Sequence, residues 1–207
     1  MHLPDGIIPL DQSIIYWIIC IIFIGIFLYK FRASKDYTHR LILLAFFSAT
    51  VTICSGISIP TPFGIPVHFF LIPLAVLIMG PYSGIIITFI ALLVQALFLG
   101  MGGIVSLGAN VLVMGIIIPF TVSIFYFIFK DLNDKFAVFL ASLASISLAS
   151  VCQMFIILIS GSGNFEILIT SLIPFYILVG ILEGLMNVII ISFLRKVKPG
   201  ILELDKV

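Results

Sequence analysis

The sequence predicts an all-α integral membrane protein, a single transmembrane domain over residues 1–207 that forms a bundle of seven helices. Composition is the first observation: 62% of the residues are hydrophobic and only 9% are charged, whereas soluble domains carry about 25% charged residues. The second is the charge distribution, because 89 consecutive residues between Arg40 and Lys130 contain no Asp, Glu, Lys or Arg. A surface that lacks charge is unsuited to water. We therefore expect a multi-pass protein of the cell membrane.

The individual spans follow from the length that a helix needs to cross the bilayer. About 20 apolar residues cover the hydrocarbon core, within a range of about 17 to 25. The predicted spans, in order, are 13–29, 41–59, 66–80, 83–99, 104–129, 136–160 and 167–194. The third is interrupted, because Gly64 and Pro66 stand directly before the helical run that begins at His68. An interrupted segment at membrane depth is tolerated only where it is buried in protein or lines a cavity, so we expect the functional site near it.

The basic residues predict the orientation. Lys and Arg accumulate in cytoplasmic loops, and with seven spans all ten basic residues fall on one side: Lys30, Arg32, Lys35, Arg40, Lys130, Lys135, Arg195, Lys196, Lys198 and Lys206. Six spans would divide them between both sides. The N-terminus is therefore predicted outside and the C-terminus in the cytoplasm, with the loop 58–67 and the turn 100–103 on the outer side.

Several other features narrow the possible functions. The three cysteines stand singly in apolar runs, so they predict neither a disulfide framework nor a CxxC metal site. The net charge of +1 gives no reason to expect nucleic acid as a partner. The first apolar run has no basic residue before it and no small-residue cleavage site after it, so the N-terminus is expected to be retained.

Two of the three histidines are predicted to lie on the outer side and to bind a metal. The α-amine of Met1, the deprotonated backbone nitrogen between residues 1 and 2, and the imidazole of His2 can close fused chelate rings in one plane. The imidazole of His68 would complete a plane of four nitrogens, which Ni(II) and Cu(II) prefer. The third histidine, His39, lies in a basic loop, where a solvated role is expected. The alternative for His2 is a chance residue on a frayed terminus.

The metal-site hypothesis also predicts a pH dependence. The amine, the amide and the imidazole must lose protons when a metal binds. We therefore expect affinity to fall below about pH 6.5, the ordinary pKa of histidine. Pro4, Asp5 and Gly6 stiffen the terminus into a turn that can fold back toward the bundle.

Two segments carry a resemblance to a known family. The N-terminal MHLPDG and the segment GPYSGIIITFIALLVQALFLGMGGIVSLGANVLVMG at 80–115, with Phe63-Gly64 and the Gly180–Leu185 segment, resemble the CbiM/NikM family. Members are the substrate-binding membrane subunits (S components) of energy-coupling-factor cobalt and nickel importers. The resemblance implies seven transmembrane helices, an outward N-terminus tucked into the bundle, Co2+ or Ni2+ as the transported substrate, and no catalytic cofactor.

The resemblance also implies partners and ligands. The partners are a transmembrane coupling subunit and two cytoplasmic ATPase subunits, with a small accessory membrane subunit as a further candidate. Because the chain has no GxxxxGK[ST] phosphate loop, it is not expected to be an enzyme, and energy must come from these partners. The implied metal ligands are Met1, His2 and His68. The residues expected to surround them or to pack between helices are Asp5, Gln95, Asn110 and Glu183.

The sequence departs from the family pattern around the ligands. The segment Pro66-Val67-His68-Phe69 replaces a small-residue pattern, and three other differences are Met101 for an aspartate, Val113 for an asparagine and Tyr176 for a histidine of the last helix. The chain is therefore interpreted as a divergent member.

Other interpretations remain open at this point. One is an S component for an organic vitamin with incidental histidines, and another is a structural or assembly subunit that has lost its substrate. A third, an intramembrane enzyme with Glu183 and His68 as an acid/base pair, is disfavoured because the spans hold no other ionisable group of this kind. For Glu183 we weigh an acceptor that orients an imidazole against a protonated packing residue. The small residues from Ala141 to Ser150 are a hypothetical docking surface for the coupling subunit.

Overall fold

The structure, a computed structural model, describes residues 1–32, 37–57 and 68–206. All regular secondary structure in these ranges is helical: α1 (Leu10–Arg32), α2 (Tyr37–Gly56), α3 (Ile72–Met79), α4 (Pro81–Leu99), α5 (Leu107–Phe129), α6 (Asp134–Ile159), α7 (Phe165–Val197) and a final 3-10 turn, Glu203–Lys206. The predicted outer loop 58–67, with Phe63-Gly64, Pro66 and Val67, lies outside the described residues, as does Lys35.

Six helices of the described ranges are long and apolar enough to cross a membrane. Their bounds lie close to those of six of the predicted spans. The exception is the third predicted span, 66–80. Its helix, α3, has only eight residues, about 12 Å of helix against a hydrocarbon core of about 30 Å. The all-α membrane bundle is confirmed, while seven full crossings and the orientation of the termini stay predictions.

The short helix α3 lies in the centre of the bundle, and all eight of its residues are buried. It packs against α4, α5 and α6. Leu71, just before it, adopts a left-handed conformation with φ 54°, which turns the chain into the helix. Pro73 occupies the first turn, where its missing N–H leaves no helix hydrogen bond unmade. Protein, not lipid, therefore surrounds α3.

Three of the long helices contain a wider, π-helical turn. These turns are Gln95–Leu99 in α4, Val111–Ile117 in α5 and Leu168–Leu172 in α7. The last two directly precede Pro119 and Pro174, which cannot donate to the preceding turn, and the wider turn accommodates the missing bond. The turn in α4 begins at Gln95, whose side chain is completely buried.

The small residues of α6 do not form a docking surface. Ala141, Ser142, Ser145, Ala149 and Ser150 are all fully buried within the chain. On the facing helix α7, Gly180 and Gly184 lie so close to α6 that an added Cβ would approach backbone atoms of Leu143 and Phe139 at 3.1 to 3.4 Å. Close contact is confirmed for this stretch, but its partner is α7 of the same chain.

The two ends of the bundle differ in charge. At one end Arg195 pairs with Asp134 at 2.7 Å and Arg40 pairs with Glu203. The opposite end holds the N-terminal segment and the turn near Gly103. The gathering of basic residues at one end agrees with the asymmetry that the charge rule requires.

Candidate metal centre

The N-terminal segment is inserted into one end of the bundle. The side chains of Met1, Leu3 and Ile8 are buried. Asn110 pairs with the backbone of Leu3 in both directions: the Leu3 N–H donates to Oδ1 at 2.8 Å, and Nδ2 donates to the Leu3 carbonyl at 3.0 Å. The Ser106 hydroxyl donates to the same carbonyl at 2.6 Å. Asn110, expected near the ligands, therefore acts on the backbone of the terminal segment.

The glycines of the turn before α5 make room for this insertion. A Cβ on Gly103 would overlap the carboxylate of Asp5, and one on Gly102 would lie 3.2 Å from Asn110 Nδ2. Gly102 also has φ +80°, which disfavours other residues. The Asp5 Oδ1 accepts the Ser106 N–H at 2.8 Å. Asp5 therefore fastens the segment to the turn instead of facing the ligands.

Insertion brings the three predicted ligand residues to one cavity of about 270 Å³. Its lining consists of Met1, His2, His68, Phe70, Met101, Phe175, Tyr176 and Val179. His2 and His68 are thus close in space although they lie far apart in the sequence. No group of three or more His, Cys, Asp or Glu side chains suited to a metal exists in the described ranges. A metal here would need the terminal amine and backbone nitrogen.

Burial prepares the nitrogens of the terminal segment for coordination. It lowers the pKa of the Met1 α-amine from 8.0 to about 5. Burial, and secondly the neighbouring terminal amine, lower the pKa of His2 from 6.5 to about 4. Both groups are neutral at pH 7, so their lone pairs are available without the loss of a proton.

Gln95 decides which nitrogen of His2 carries the proton. The Gln95 amide Nε2 donates to the Thr52 carbonyl at 3.0 Å and to the Ser55 hydroxyl at 2.7 Å. Its Oε1 therefore faces His2 Nε2, at 2.9 Å, and can only accept. His2 Nε2 must donate, which leaves the lone pair on Nδ1, the nitrogen nearer to the residue's own backbone.

Glu183 holds the segment that carries His68. Its side chain is fully buried, and Oε2 accepts the Phe70 N–H at 2.9 Å. Its other oxygen, Oε1, and His68 Nδ1 are both buried without a hydrogen-bond partner among the described residues. The described contacts therefore give Glu183 neither an imidazole to orient nor a purely apolar packing role. It anchors the backbone two residues after His68.

Tyr176 is the site residue whose role sequence reasoning missed. The sequence identified it only as a departure from the family's histidine, but the Met1 α-amine donates to its hydroxyl. Met101, the second departure, also lines the cavity, whereas Val113 is buried elsewhere in the core. A signal was available in the sequence: Met101 and Tyr176 both stand where family members carry polar groups, which could have pointed to the site.

The comparison with known families shows to which family the chain belongs. The family model described as "CbiM: Cobalt uptake substrate-specific transmembrane region" matches residues 2–201. The chain belongs to the CbiM family. One similar relative of this family is the cobalt transport protein CbiM of Clostridium tetani, 35% identical over 95% of this chain and 85% of the relative. A putative fused nickel transport protein NikMN of Archaeoglobus fulgidus is 29% identical over 98% of this chain and 68% of its own length.

The fold is similar to a solved structure as well. The crystal structure of a transition metal transporter superposes on this CbiM-family chain with a TM-score of 0.85, covering 95% of this chain and 93% of the other at 22% identity. The family consists of membrane components of cobalt and nickel transporters, so the chain is a multi-pass membrane protein and not an enzyme. The acid/base hypothesis for Glu183 and His68 is therefore wrong.

Proposed function

We propose that this CbiM-family chain is the substrate-capture subunit of an energy-coupling-factor importer for Co(II) or Ni(II). The metal ligands are the Met1 amine, the backbone nitrogen and Nδ1 of His2, and the imidazole of His68. The observation that supports this most strongly is the single cavity shared by Met1, His2 and His68 at the end of the inserted N-terminus.

The surroundings suit this ligand set. Because Gln95 keeps the proton on His2 Nε2, Nδ1 can close a chelate ring with the residue's own backbone nitrogen. The Tyr176 hydroxyl accepts one hydrogen of the Met1 amine, which restrains the amine while its lone pair stays available. No carboxylate of the described residues lines the cavity. A metal that prefers nitrogen is therefore favoured over Mg(II) or Ca(II), which need oxygen ligands.

The same cavity argues against an organic vitamin as the substrate. Sites for organic ligands usually measure about 300–1,000 Å³, and the volume here is about 270 Å³. Apart from the Tyr176 hydroxyl, the polar groups that line it in the described ranges are nitrogen donors suited to one ion.

Calorimetric titration of the purified, chelator-stripped chain with Ni(II) and Co(II) tests the capture step. We expect one metal per chain, and an absence of binding for both metals would refute it. The transport step is tested in vesicles. Metal uptake is expected only when the transmembrane coupling subunit and the two ATPase subunits are reconstituted with this chain, because it has no phosphate loop of its own.

The affinity for Ni(II) is expected to rise about tenfold per pH unit between pH 6 and 8. The amine and His2 are already neutral there, since burial lowers their pKa values to about 5 and about 4. Only the backbone amide then loses a proton on binding. Below pH 5 the amine and the imidazole protonate as well, so the affinity falls more steeply. From the ordinary pKa of histidine, metal affinity was expected to fall below pH 6.5. Because burial lowers the pKa of His2, protonation of the imidazole now reduces the affinity only at lower pH.

Titrations at pH 5, 6, 7 and 8 measure this slope. A flat profile from pH 6 to 8 would show that the amide does not coordinate. A slope near two or three would show an exposed terminus with ordinary pKa values.

The substitution Gln95→Leu is expected to weaken metal binding by about 10- to 100-fold, the usual range for a residue that orients a histidine ligand. Leucine cannot accept from His2 Nε2, so the imidazole loses its fixed tautomer and orientation. The matched control is Gln153→Leu, which changes another buried glutamine, on α6. Equal affinities of the two variants in calorimetry would contradict the role of Gln95.

A further inference from the structure

A second cavity, of about 590 Å³, lies at the end of the bundle opposite to the candidate metal centre. It opens between the ends of α1 and α5 and the beginning of α4, next to the C-terminal turn. Most of its wall is aromatic or aliphatic, including Phe27, Phe31, Tyr82 and Phe127. The proposed capture of metal makes no use of it.

The first turn of α4 gives this cavity an anion-binding character. No side chain of the described residues caps this 14-residue α-helical segment, which starts at Pro81. Pro81 has no N–H, and the N–H groups of Gly80 and Gly84 donate to backbone carbonyls. The amides of Tyr82 and Ser83 therefore remain without a helix acceptor. These groups and the helix dipole attract negative charge. The Lys30 ammonium lies at the same place, 3.6 Å from the centre of the Tyr82 ring.

Ser83 supplies an independent observation. Its side chain lines the cavity, and the residue is only 8% exposed. The hydroxyl makes no hydrogen bond to any residue of the described ranges, and its oxygen is accessible from the cavity. An accessible hydroxyl, two free helix amides and an ammonium group thus line the same cavity.

The described residues that line the cavity carry a positive net charge. Its charged lining residues are Lys30, Arg40 and Glu203, and Arg40 forms an ion pair with Glu203. The carboxylate is therefore balanced, and Lys30 remains as the excess charge. The outer wall is apolar and open: Ile124, Phe127 and Ile128 are each more than half exposed on a membrane-spanning helix.

We propose that this cavity binds the phosphate headgroup of an anionic phospholipid, with its acyl chains along the exposed apolar wall of α5. Lys30, Ser83 and the first-turn amides of α4 hold the phosphate. A soluble phosphate has the same headgroup chemistry, but it gains nothing from the apolar wall. The charge rule assigns the basic residues at this end to the cytoplasmic side. Basic pockets on that side bind the headgroups of anionic lipids.

Native mass spectrometry of the full chain, delipidated and then offered one lipid at a time, tests this site. We expect phosphatidylglycerol to be retained about tenfold more than phosphatidylcholine. The variants Lys30→Gln and Ser83→Ala should each lower phosphatidylglycerol retention about fivefold, the effect expected of one basic contact for Lys30. Lys135→Gln, an exposed lysine at the same end but outside the cavity, is the matched control and should retain the lipid like the wild type.

Inorganic phosphate at millimolar concentration separates the two sources of the anion. We expect it to leave phosphatidylglycerol bound. Displacement by phosphate, equal retention of the two lipids, or unchanged retention by Lys30→Gln would each overturn the proposal. Nickel titration of the same variants verifies that they are folded, because the metal centre lies at the opposite end.

Discussion

Adding one glycine before Met1 is expected to abolish metal binding, with a loss of roughly a thousandfold or more in affinity for Ni(II) and Co(II). The extension turns the α-amine into a peptide amide, which removes one ligand and breaks the chelate. It also requires space beside an amine that is fully buried and bonded to Tyr176. Insertion of a residue there displaces His2 from Gln95 and disrupts the tautomer that coordination needs.

Calorimetry with the purified extended chain measures this loss. The control is one glycine added after Val207, which changes length and composition equally but leaves the amine untouched. We expect the control to bind as the wild type does. If the N-terminally extended chain keeps its affinity, the chelate proposal fails, while membership of the CbiM family is unaffected.

The substitution His68→Ala is expected to weaken Ni(II) binding by roughly 100-fold and to change the geometry of the complex. Three nitrogens would still come from Met1 and His2, but water would have to enter the fourth position. The planar four-nitrogen complex of Ni(II) is diamagnetic, so loss of this ligand is visible by spectroscopy as well as in affinity. His68 Nδ1 has no hydrogen-bond partner in the described ranges, but the backbone of Ser55 and Ile57 contacts the imidazole, so thermal unfolding of the variant is measured beside its affinity.

His39→Ala is the matched control for this substitution. His39 is exposed and lies near the basic end of α2, remote from the cavity. It should bind Ni(II) with unchanged affinity and geometry. A variant His68→Ala that keeps both the affinity and the diamagnetic signal would show that a different group supplies the fourth ligand.

Local hydropathy determined where most of the membrane-spanning helices of this protein lie. A helix crosses a bilayer only if some 20 consecutive residues are apolar, and this requirement is satisfied or violated within each segment independently of the others. The six long helices could therefore be predicted close to their observed bounds. The candidate ligands could be named for a similar reason, because the fused chelate depends on the first two residues alone, and His68 stood out beside the interrupted span.

The tertiary structure decided what depends on contacts between distant residues. Tyr176 meets the Met1 amine across 175 positions, Asn110 meets Leu3 across 107, and Glu183 meets Phe70 across 113. No local pattern specifies such pairs, because they result from helices packing in one arrangement among many. The same reason explains the position of α3: its sequence is apolar enough for a span, but its place in the centre of the bundle follows from the helices that enclose it. The sequence thus determined the membrane bundle and the candidate ligand residues, and packing alone determined the buried hydrogen bonds that orient them.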